Sequence, residues 1–465
     1  MASRMPSAPK QSFLETYKTS AFAQKSGSFF THKWFEADAL EDKKLAEVSL
    51  SMNILQVNPL DLAGRRFNGY DLNEALRQIG HQTCQYVLEK TSKNEYVKRI
   101  VDAKRNLMTI AEIEQRYELY WQLIPYGLVL MERKDFQAAD IVHYHLIHNH
   151  LLSIPDFPLM TQTKPSVWTW HDPWAVTGHC VHPLECQGWR SGCTPCPHPE
   201  EYFPMRTDCA NTVWELKRQA YQKMDVDIVV ASDFMLDFAR NSPLGQLFPR
   251  VHKIPFGIQA EAFGTKDKQE ARTNFSIPNG QFVIAFRCET NAYKGAKYIY
   301  KMLECMDGKE NVTLLCVGFG SLPKSIKQKF HTIELGWQDD PQLLADFYSA
   351  CDVFLMPSIA ESFGLMAVEA MASSRPVICF EGTALPSVTF APECGIAVPK
   401  GDVDALLSTV RRLRDCPEEM QHRGRLGRKK VEQNYLFQDY VKKHLELYME
   451  ISEREKGKKA EYGNS

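Results

Sequence analysis

The sequence has no long hydrophobic run. The longest candidate, LIPYGLVLM, is short and is interrupted by proline and glycine, whereas a membrane-spanning helix needs about 18 consecutive apolar residues. The amino terminus carries Arg4, Lys10 and Lys18 without an apolar segment behind them, so no secretory signal is indicated. The chain is therefore expected to be soluble and cytoplasmic.

An excess of one charge sign is also missing. The 55 Lys and Arg residues and the 57 Asp and Glu residues leave a formal net charge of −2, which gives no global signature of nucleic-acid binding. The sequence shows no internal repeat and no low-complexity block. At 465 residues and 44% hydrophobic content, the chain is long enough for two packed cores. These features predict a two-domain protein.

The thirteen cysteines are an odd number, and nine of them stand singly in apparent strands and helices. Such cysteines fit reduced, buried thiols better than a disulfide framework. The other four lie in the segment CVHPLECQGWRSGCTPCP: Cys180, Cys186, Cys193 and Cys196. Four thiolates can hold one structural zinc ion, and His179 and His182 are spare candidate ligands. Free thiols, disulfides and an iron–sulfur cluster are the alternatives.

Short apolar runs alternate with helix-length amphipathic stretches along most of the chain. In the first half they include DIVHYHLI, PSVWTWHD and VDIVVAS, and in the second half QFVIAFRC, VTLLCVGFG, HTIELGW, CDVFLMPS and RPVICFEG. This alternation is typical of parallel sheets covered by helices. The predicted fold class is α/β, with two Rossmann-like, doubly wound domains facing each other across a cleft. Such sheets bind ligands beyond the carboxyl ends of their strands.

The domain limits follow from changes in this pattern. Residues 1–48 have no clear periodicity and are interpreted as an amino-terminal extension. Residues 49–255 and 256–434 are expected to form the two Rossmann-like domains, the first containing the cysteine-rich loop. Residues 435–452 are expected to form a helix that returns to the amino-terminal domain, and the charge-rich tail 453–465 is expected to be disordered.

The segment ESFGLMAVE follows one of the predicted strands. If a helix runs from Leu365 to Ala372, Glu361 lies in the loop before it and Glu369 little more than one turn inside it. Both carboxylates can then reach the same end of the cleft. Free first-turn N–H donors, suited to sugar hydroxyls or phosphate, are expected at Phe363, Gly364 and Leu365. A solvated glutamate pair beside a helix cap is the alternative.

A second loop of the same half carries two cations. The segment FRCETNAYKGAKYIYKML begins where the strand VIAF ends, so Arg287 and Lys294 are expected in a strand-to-helix loop ahead of Gly295. There they can clamp a diphosphate, the arginine in bidentate fashion and the lysine as a point charge. Surface salt bridges are the alternative role.

These motifs occur in a specific order between about residue 254 and residue 450: PFGI, the two-cation loop, VGFG, LGW and the glutamate pair. The combination resembles the nucleotide-sugar half of retaining glycosyltransferases of family four, which have the two-Rossmann GT-B fold. The resemblance implies a hexosyltransferase whose carboxy-terminal domain binds a nucleotide-sugar donor. Its amino-terminal domain would receive a glycan, lipid-linked or small-molecule acceptor. No nucleic-acid partner is expected, and peripheral membrane contact is left open.

The resemblance also implies roles for single residues. Glu361 would face the donor sugar, and Glu369 would accept hydrogen bonds from the ribose hydroxyls. Arg287 and Lys294 would hold the diphosphate, although they are seven residues apart here and five in the family's commonest form. With two cations in place of a divalent ion, no cofactor is expected for catalysis. Further substrate contacts, the last two beside the base, are expected at Gly318, Gly336 and Trp337.

The amino-terminal half carries two more stretches with implied roles. In HDPWAVTGHC, His171 stands where the family commonly has a histidine that touches the donor sugar, and Asp172 is expected to contact substrate. This segment is similar to one in bacterial surface-polysaccharide glycosyltransferases. In DLAGRRFNG, Gly64 matches the family's glycine loop, while Arg65 and Arg66 depart from it and could bind an anionic acceptor or a phosphate. A structural role is the alternative for His171.

Three other functions fit parts of the pattern. A phosphorylase or an epimerase on the same fold would act on the sugar without a separate acceptor. A non-catalytic nucleotide- or sugar-binding subunit would more naturally have lost Glu361 or Lys294, and both are present. A zinc-dependent nucleic-acid module is disfavoured by the charge balance and by cysteines that lie inside a Rossmann-like half.

Overall fold

The computed structural model describes residues 51–101, 105–201, 203–264, 266–308 and 310–462. The extension expected over residues 1–48 lies outside these ranges. Within them the chain forms two parallel sheets, and the strand pairs within each sheet are parallel throughout. The central strands are buried on both faces, which explains why they read as continuous apolar runs.

The amino-terminal domain is built on a seven-stranded sheet with the order β3-β2-β1-β4-β5-β6-β7. Its strands are β1 (Asn53–Val57), β2 (Gln82–Val87), β3 (Val97–Arg99), β4 (Ile141–Tyr144), β5 (Ser166–Trp170), β6 (Asp227–Val230) and β7 (Val251–Lys253). Its helices are α1 (Tyr70–Gln78), α2 (Arg105–Tyr117), α3 (Tyr126–Met131), α4 (Lys134–Ala138), α5 (Phe157–Thr163), α6 (Ala210–Tyr221) and α7 (Asp233–Asn241).

The carboxy-terminal domain is built on a six-stranded sheet with the order β10-β9-β8-β11-β12-β13. Its strands are β8 (Phe282–Arg287), β9 (Val312–Val317), β10 (His331–Glu334), β11 (Val353–Met356), β12 (Val377–Phe380) and β13 (Ile396–Val398). The helices from here to the end of the chain are α8 (Lys268–Asn274), α9 (Ala296–Cys305), α10 (Lys324–Lys329), α11 (Pro341–Ala350), α12 (Leu365–Ala372), α13 (Leu385–Val388), α14 (Val403–Asp415), α15 (Pro417–Asn434) and α16 (Phe437–Tyr462).

Local sequence sets several helix starts. Side chains that accept hydrogen bonds from first-turn N–H groups precede four of the helices: Ser232 before α7, Asp267 before α8, Asp340 before α11 and Asp402 before α14. Such caps satisfy donors that have no partner inside the helix. Helix α12 differs, because it follows Gly364, which has a left-handed φ of 100° and no side chain to cap with. Its first N–H groups are therefore left for another partner.

The strand order reverses between β1 and β4 in the first sheet and between β8 and β11 in the second. Loops that leave neighbouring strands at such a reversal part in opposite directions, and the gap between them is the usual ligand site of an open parallel sheet. The segments that leave these four strands include Gly64 after β1, His145 after β4, Arg287 at the end of β8 and Glu361 after β11. Each sheet therefore has one such gap, beyond the carboxyl ends of these strands.

Helix α16 connects the end of the chain to the first sheet. Its Tyr448 is fully buried and its hydroxyl accepts a hydrogen bond from Gln56 of β1. The prediction of a disordered tail is wrong as far as Tyr462, because the helix continues through residues 453–462. Ion pairs with the first domain hold its charged residues: Arg454 with Asp227 and Lys458 with Asp225. Residues 463–465 lie outside the described ranges.

Two findings bear on the expectations about thiols and membrane spans. All thirteen cysteines are free thiols. None of the helices in the described ranges combines the length and the apolar character that crossing a bilayer requires.

Substitution of Asp227 can test how α16 is attached to the amino-terminal domain. The Asp227 carboxylate is 1% exposed and accepts from Nε of Arg250 and Nε2 of His252, both at 2.9 Å, and from Arg454. Because a neutral amide could not balance the charges of Arg250 and Arg454, we expect Asp227→Asn to lower stability by about 3 kcal/mol. Thermal unfolding measures this as a fall in midpoint of about 6 to 12 °C. Asp225→Asn is the matched control: its carboxylate is 44% exposed, so a loss as large as that of Asp227→Asn would contradict the assignment.

Candidate active site

A partly buried ion pair marks the carboxyl end of the second sheet. Lys294 ends a short 3-10 turn after β8, Glu361 lies in the loop after β11, and Nζ of the lysine is 2.9 Å from Oε2 of the glutamate. Burial alone would raise the pKa of Glu361, but the charge and hydrogen bond of Lys294 outweigh it and hold the pKa below its usual value. Glu361 is therefore ionised at neutral pH and faces the amino group of Lys294.

Glycine makes this approach possible. Gly295, directly after the lysine, has a φ of +75°, and a Cβ at this position would overlap the carbonyl oxygen of Pro357, the first residue after β11. Only a residue without a side chain lets the turn that carries Lys294 pack against the loop that carries Glu361.

Arg287 lies beside this pair, although it is the last residue of β8 rather than a loop residue. Its guanidinium binds the buried Glu289, with Nη2 2.6 Å from Oε2. It also lies 5.6 Å from the ring centre of Trp337. The ring of Trp337 is 53% exposed and stacks on Phe319 at 4.6 Å with an interplanar angle of 6°.

The glycines predicted near Trp337 hold this exposed surface in place. The N–H of Gly318, after β9, donates to the carbonyl of Gly336, after β10, at 2.8 Å. Both have positive φ, and a Cβ on Gly318 would overlap the carbonyl oxygen of Cys288. The sheet order β10-β9-β8 thus brings Gly318, Gly336 and Trp337 together next to Arg287.

The start of α12 offers free backbone donors. In the described structure no acceptor takes a hydrogen bond from the N–H groups of Phe363, Gly364 and Leu365. The ring of Phe363 is itself buried, with its centre 5.2 Å from that of Phe256 and 5.6 Å from that of Tyr435. The side chain therefore anchors the loop, and only its backbone is available to a ligand.

Glu369 is occupied in the structure. It is 1% exposed, its Oε2 accepts from the hydroxyl of Tyr348 at 2.8 Å, and its Oε1 contacts the guanidinium of Arg66 from the other domain. Arg65, in contrast, pairs with Asp71 of its own domain. The sequence identified the two arginines as a departure from the family, but the partnership of Arg66 with Glu369 was not predicted.

His171 lies half-buried at the end of β5 and contacts the glycine loop indirectly. Its ring stacks on Phe256 at 5.7 Å and packs against Phe67, whose ring a Cβ on Gly64 would overlap. Burial lowers the pKa of His171 to about 4, so the ring is neutral at neutral pH. Nε2 of His171 is 3.0 Å from Nδ1 of His145.

Asp172 is engaged by the protein itself. Its carboxylate accepts from the backbone N–H of Trp174 at 2.9 Å, which caps the 3-10 turn Pro173–Val176, and it lies 3.3 Å from Nε2 of His148. Burial raises its pKa, but His148 and the turn outweigh this and lower it. The structure therefore shows Asp172 shaping the loop after β5.

The sequence missed one residue at this site. His182, named only as a spare zinc ligand, interacts electrostatically with Asp172, Lys294 and Glu361, and burial lowers its pKa to about 4. Its ring centre is 5.9 Å from that of Tyr293 in the two-cation loop. Its position ten residues after Asp172, in the loop that leaves the same strand, was the available signal.

The cysteine cluster does not form a metal site in the described structure. No three His, Cys, Asp or Glu side chains of these residues have an arrangement that could hold a metal ion. The Sγ of Cys193 accepts from the N–H of Gly178 at 3.2 Å, and that of Cys196 lies 3.4 Å from Nε2 of His179. Burial raises the pKa of Cys180 to about 11 and of Cys193 to about 12. The structural zinc at these four cysteines stays a prediction.

Comparison with known proteins shows which proteins this chain is similar to. Residues 281–415 match the family model described as Glycosyl transferases group 1. Over 259 residues the chain is 25% identical to the colanic acid biosynthesis glycosyl transferase WcaC of Escherichia coli K12, an alignment that covers 53% of this chain and 61% of WcaC. The chain thus spans less than two thirds of the length of this curated relative.

Solved structures agree on the fold. WaaG, a glycosyltransferase involved in lipopolysaccharide biosynthesis, superposes with a TM-score of 0.59 at 14% identity, over 84% of this chain and 98% of WaaG. Anabaena HepE, solved with UDP and glucose, superposes with a TM-score of 0.58 at 13% identity, over 85% of this chain and 99% of HepE. The predicted fold class is confirmed: the protein has the GT-B fold, and residues 281–415 are similar to the glycosyl transferases group 1 domain.

The Lys294–Glu361 pair can be tested through stability. A folded-state pKa held below the usual value stabilises the fold above about pH 4.3 and loses this effect as pH falls through the folded pKa. We expect Lys294→Met to lose about 2 kcal/mol at pH 7, because it leaves a carboxylate that is only 13% exposed without its partner. The loss should shrink near pH 4 as Glu361 is protonated, and thermal unfolding at both pH values measures it.

The control is Lys253→Met, which breaks a pair with Asp233 whose side chains are 41% and 61% exposed. Its effect should stay within about 0.5 kcal/mol at either pH. A loss in Lys294→Met that does not depend on pH would contradict the ion pair.

Proposed function

We propose that this protein is a retaining glycosyltransferase that moves a sugar from a nucleoside-diphosphate sugar to a glycan, lipid-linked or small-molecule acceptor. The observation that carries the proposal is the Lys294–Glu361 pair, which lies beside Arg287 and the free N–H groups of α12. These groups lie in a glycosyl transferases group 1 domain. Support also comes from a relative named as a glycosyl transferase and from a structural neighbour that holds UDP and glucose.

The two cations and the helix start would bind the diphosphate. Arg287 can turn its fork of donors from Glu289 to phosphate oxygens, and Lys294 can share its charge between Glu361 and a phosphate. The N–H groups at the start of α12 can donate to the same diphosphate, and the positive end of the helix dipole lies there as well. These charges are positioned before the donor arrives, so little reorganisation is needed when negative charge develops on the leaving group.

The remaining residues would hold the rest of the donor. Glu361 faces the sugar, with His171 on the amino-terminal side of the cleft. Glu369 takes the ribose hydroxyls in exchange for Arg66. The exposed rings of Trp337 and Phe319 offer an apolar face beside Arg287, which suits a nucleotide base.

Retention follows if the acceptor approaches on the face that the nucleotide leaves. The bond between the anomeric carbon and the phosphate oxygen breaks, the acceptor oxygen forms the new bond, and its proton passes to the departing phosphate. Arg287 and Lys294 stabilise the charge on that phosphate, so these residues perform the part that a divalent ion has in other folds. The products are a nucleoside diphosphate and a glycoside. A cytoplasmic setting fits the thirteen free thiols.

Mass spectrometry of products after incubation with UDP-, GDP- and ADP-sugars tests the proposal. We expect one nucleotide to be released in step with transfer to an added sugar or lipid-linked acceptor, and NMR of the product to show the donor's anomeric configuration. Sugar release that never depends on an acceptor would favour the phosphorylase or epimerase alternative.

Glu361→Gln and Lys294→Ala should each lower kcat by at least about 100-fold, because both remove charge that acts in the transition state. Steady-state kinetics with the best donor of the panel measures this, and circular dichroism checks the fold. Lys297→Ala, in the exposed first turn of α9, is the matched control and should retain normal rates. Near-normal turnover in either site variant would contradict the assigned roles.

Glu369→Gln should chiefly raise the KM for the donor, by about tenfold, since hydrogen bonds to a carboxylate are stronger than those to a neutral amide. Ribose contacts exist in both the ground state and the transition state, so kcat should change little. Glu304→Gln, on the exposed face of α9, provides the comparison. An unchanged donor KM in Glu369→Gln would remove this residue from the nucleotide site.

A further inference from the structure

Four histidine rings cluster between the first sheet and α16: the buried His143, His145 and His444, and the half-buried His171. Neighbouring ring centres lie 4.3 Å apart for His143 and His145, and 5.2 Å apart for His145 and His171. Burial lowers the pKa of each ring, and that of His171 and of His444 to about 4. Each ring is therefore neutral at neutral pH, with one N–H donor and one acceptor nitrogen.

The amide of Gln56 determines which nitrogen of His145 carries the proton. Nε2 of His145 lies 2.7 Å from Oε1 of Gln56, and a carbonyl oxygen can only accept. The proton of His145 is therefore on Nε2, and its Nδ1 is an acceptor. Since Nδ1 of His145 is 3.0 Å from Nε2 of His171, the donor in that bond is His171.

Helix α16 fixes the orientation of the Gln56 amide. Its Nε2 donates to the hydroxyl of Tyr448 at 3.3 Å, and that hydroxyl lies 2.6 Å from Nδ1 of His143. The remaining nitrogen of His143 is 2.7 Å from Oγ1 of Thr169. In this series of hydrogen bonds each donor faces one acceptor. Gln56 and His143 are direct neighbours in the register of β1 and β4. Tyr448 of α16 is thereby connected, through Gln56 and His145, to the ring of His171.

We propose that His145 is a positioning residue that holds the proton of His171 on Nε2, so that Nδ1 of His171 is the ring's acceptor for a hydroxyl of the donor sugar. The inference rests on the role proposed above for His171. The identity of the free nitrogen matters, because an acceptor binds a hydroxyl that donates, whereas the other tautomer would require the same hydroxyl to accept.

Two substitutions at His145 separate its hydrogen bond from its volume. In His145→Asn the side-chain oxygen lies near the position of Nδ1 and can still accept from His171. In His145→Leu the volume is kept but no acceptor remains. His444→Leu is the matched control: His444 belongs to the same cluster and bonds the carbonyl of Tyr440, with no bond to His145 or His171.

Nitrogen-15 NMR of histidine-labelled full-length protein reads the tautomer directly. In the wild type, in His145→Asn and in His444→Leu, we expect His171 to have a protonated Nε2 and an unprotonated Nδ1. In His145→Leu this preference should be lost. We expect kcat to fall about 10- to 100-fold in His145→Leu only, with less than about a threefold change in donor KM.

Two results would overturn the proposal: a protonated Nδ1 of His171 in the wild type, or an unchanged tautomer and kcat in a folded His145→Leu protein. The NMR measurement needs no turnover. If no nucleotide sugar is used, the proposed function fails while the tautomer result still stands, so the two failures can be told apart.

Discussion

A charge withdrawn from water needs an opposite charge beside it, because its desolvation otherwise costs several kcal/mol. The candidate site depends on this constraint. Three pairs satisfy it: Lys294 with Glu361, Arg287 with Glu289, and Arg66 with Glu369. Each pair holds its cation in place without a ligand. Under the proposed function, a donor enters by exchanging partners with charges that are already ordered, rather than by ordering them.

The parallel sheets bring these pairs together. Because strand order reverses at β8 and β11, the ends of these two strands lie side by side, although about 70 residues of chain separate them. The same reversal at β1 and β4 places Gln56 beside His143. The first sheet therefore carries polar side chains in its centre, and each is tolerated because it has a hydrogen-bond partner.

Much of the second domain could be predicted from the sequence. Its strands are short apolar runs with motif residues at their carboxyl ends, and α12 runs from Leu365 to Ala372 as expected. Contacts between distant segments could not be predicted, because a local pattern carries no information on which loops meet. Arg66 at Glu369 and His182 beside Lys294 are of this kind. The three-residue strands β3, β7 and β13 were too short to show a period. The segment DIVHYHLIHNH did contain a signal, since histidines inside an apolar strand need buried partners.

Helix α16 affects the order in which the two domains can fold during synthesis. Tyr448 bonds Gln56 across 392 residues of sequence, and Arg454 bonds Asp227 across 227. Domains generally fold in the order of synthesis, the amino-terminal one first. Here the polar centre of the first sheet is buried only once α16 has left the ribosome. During translation the amino-terminal domain therefore stays partly open until Tyr448 and Arg454 have been added, and a protein truncated before α16 would keep that surface exposed.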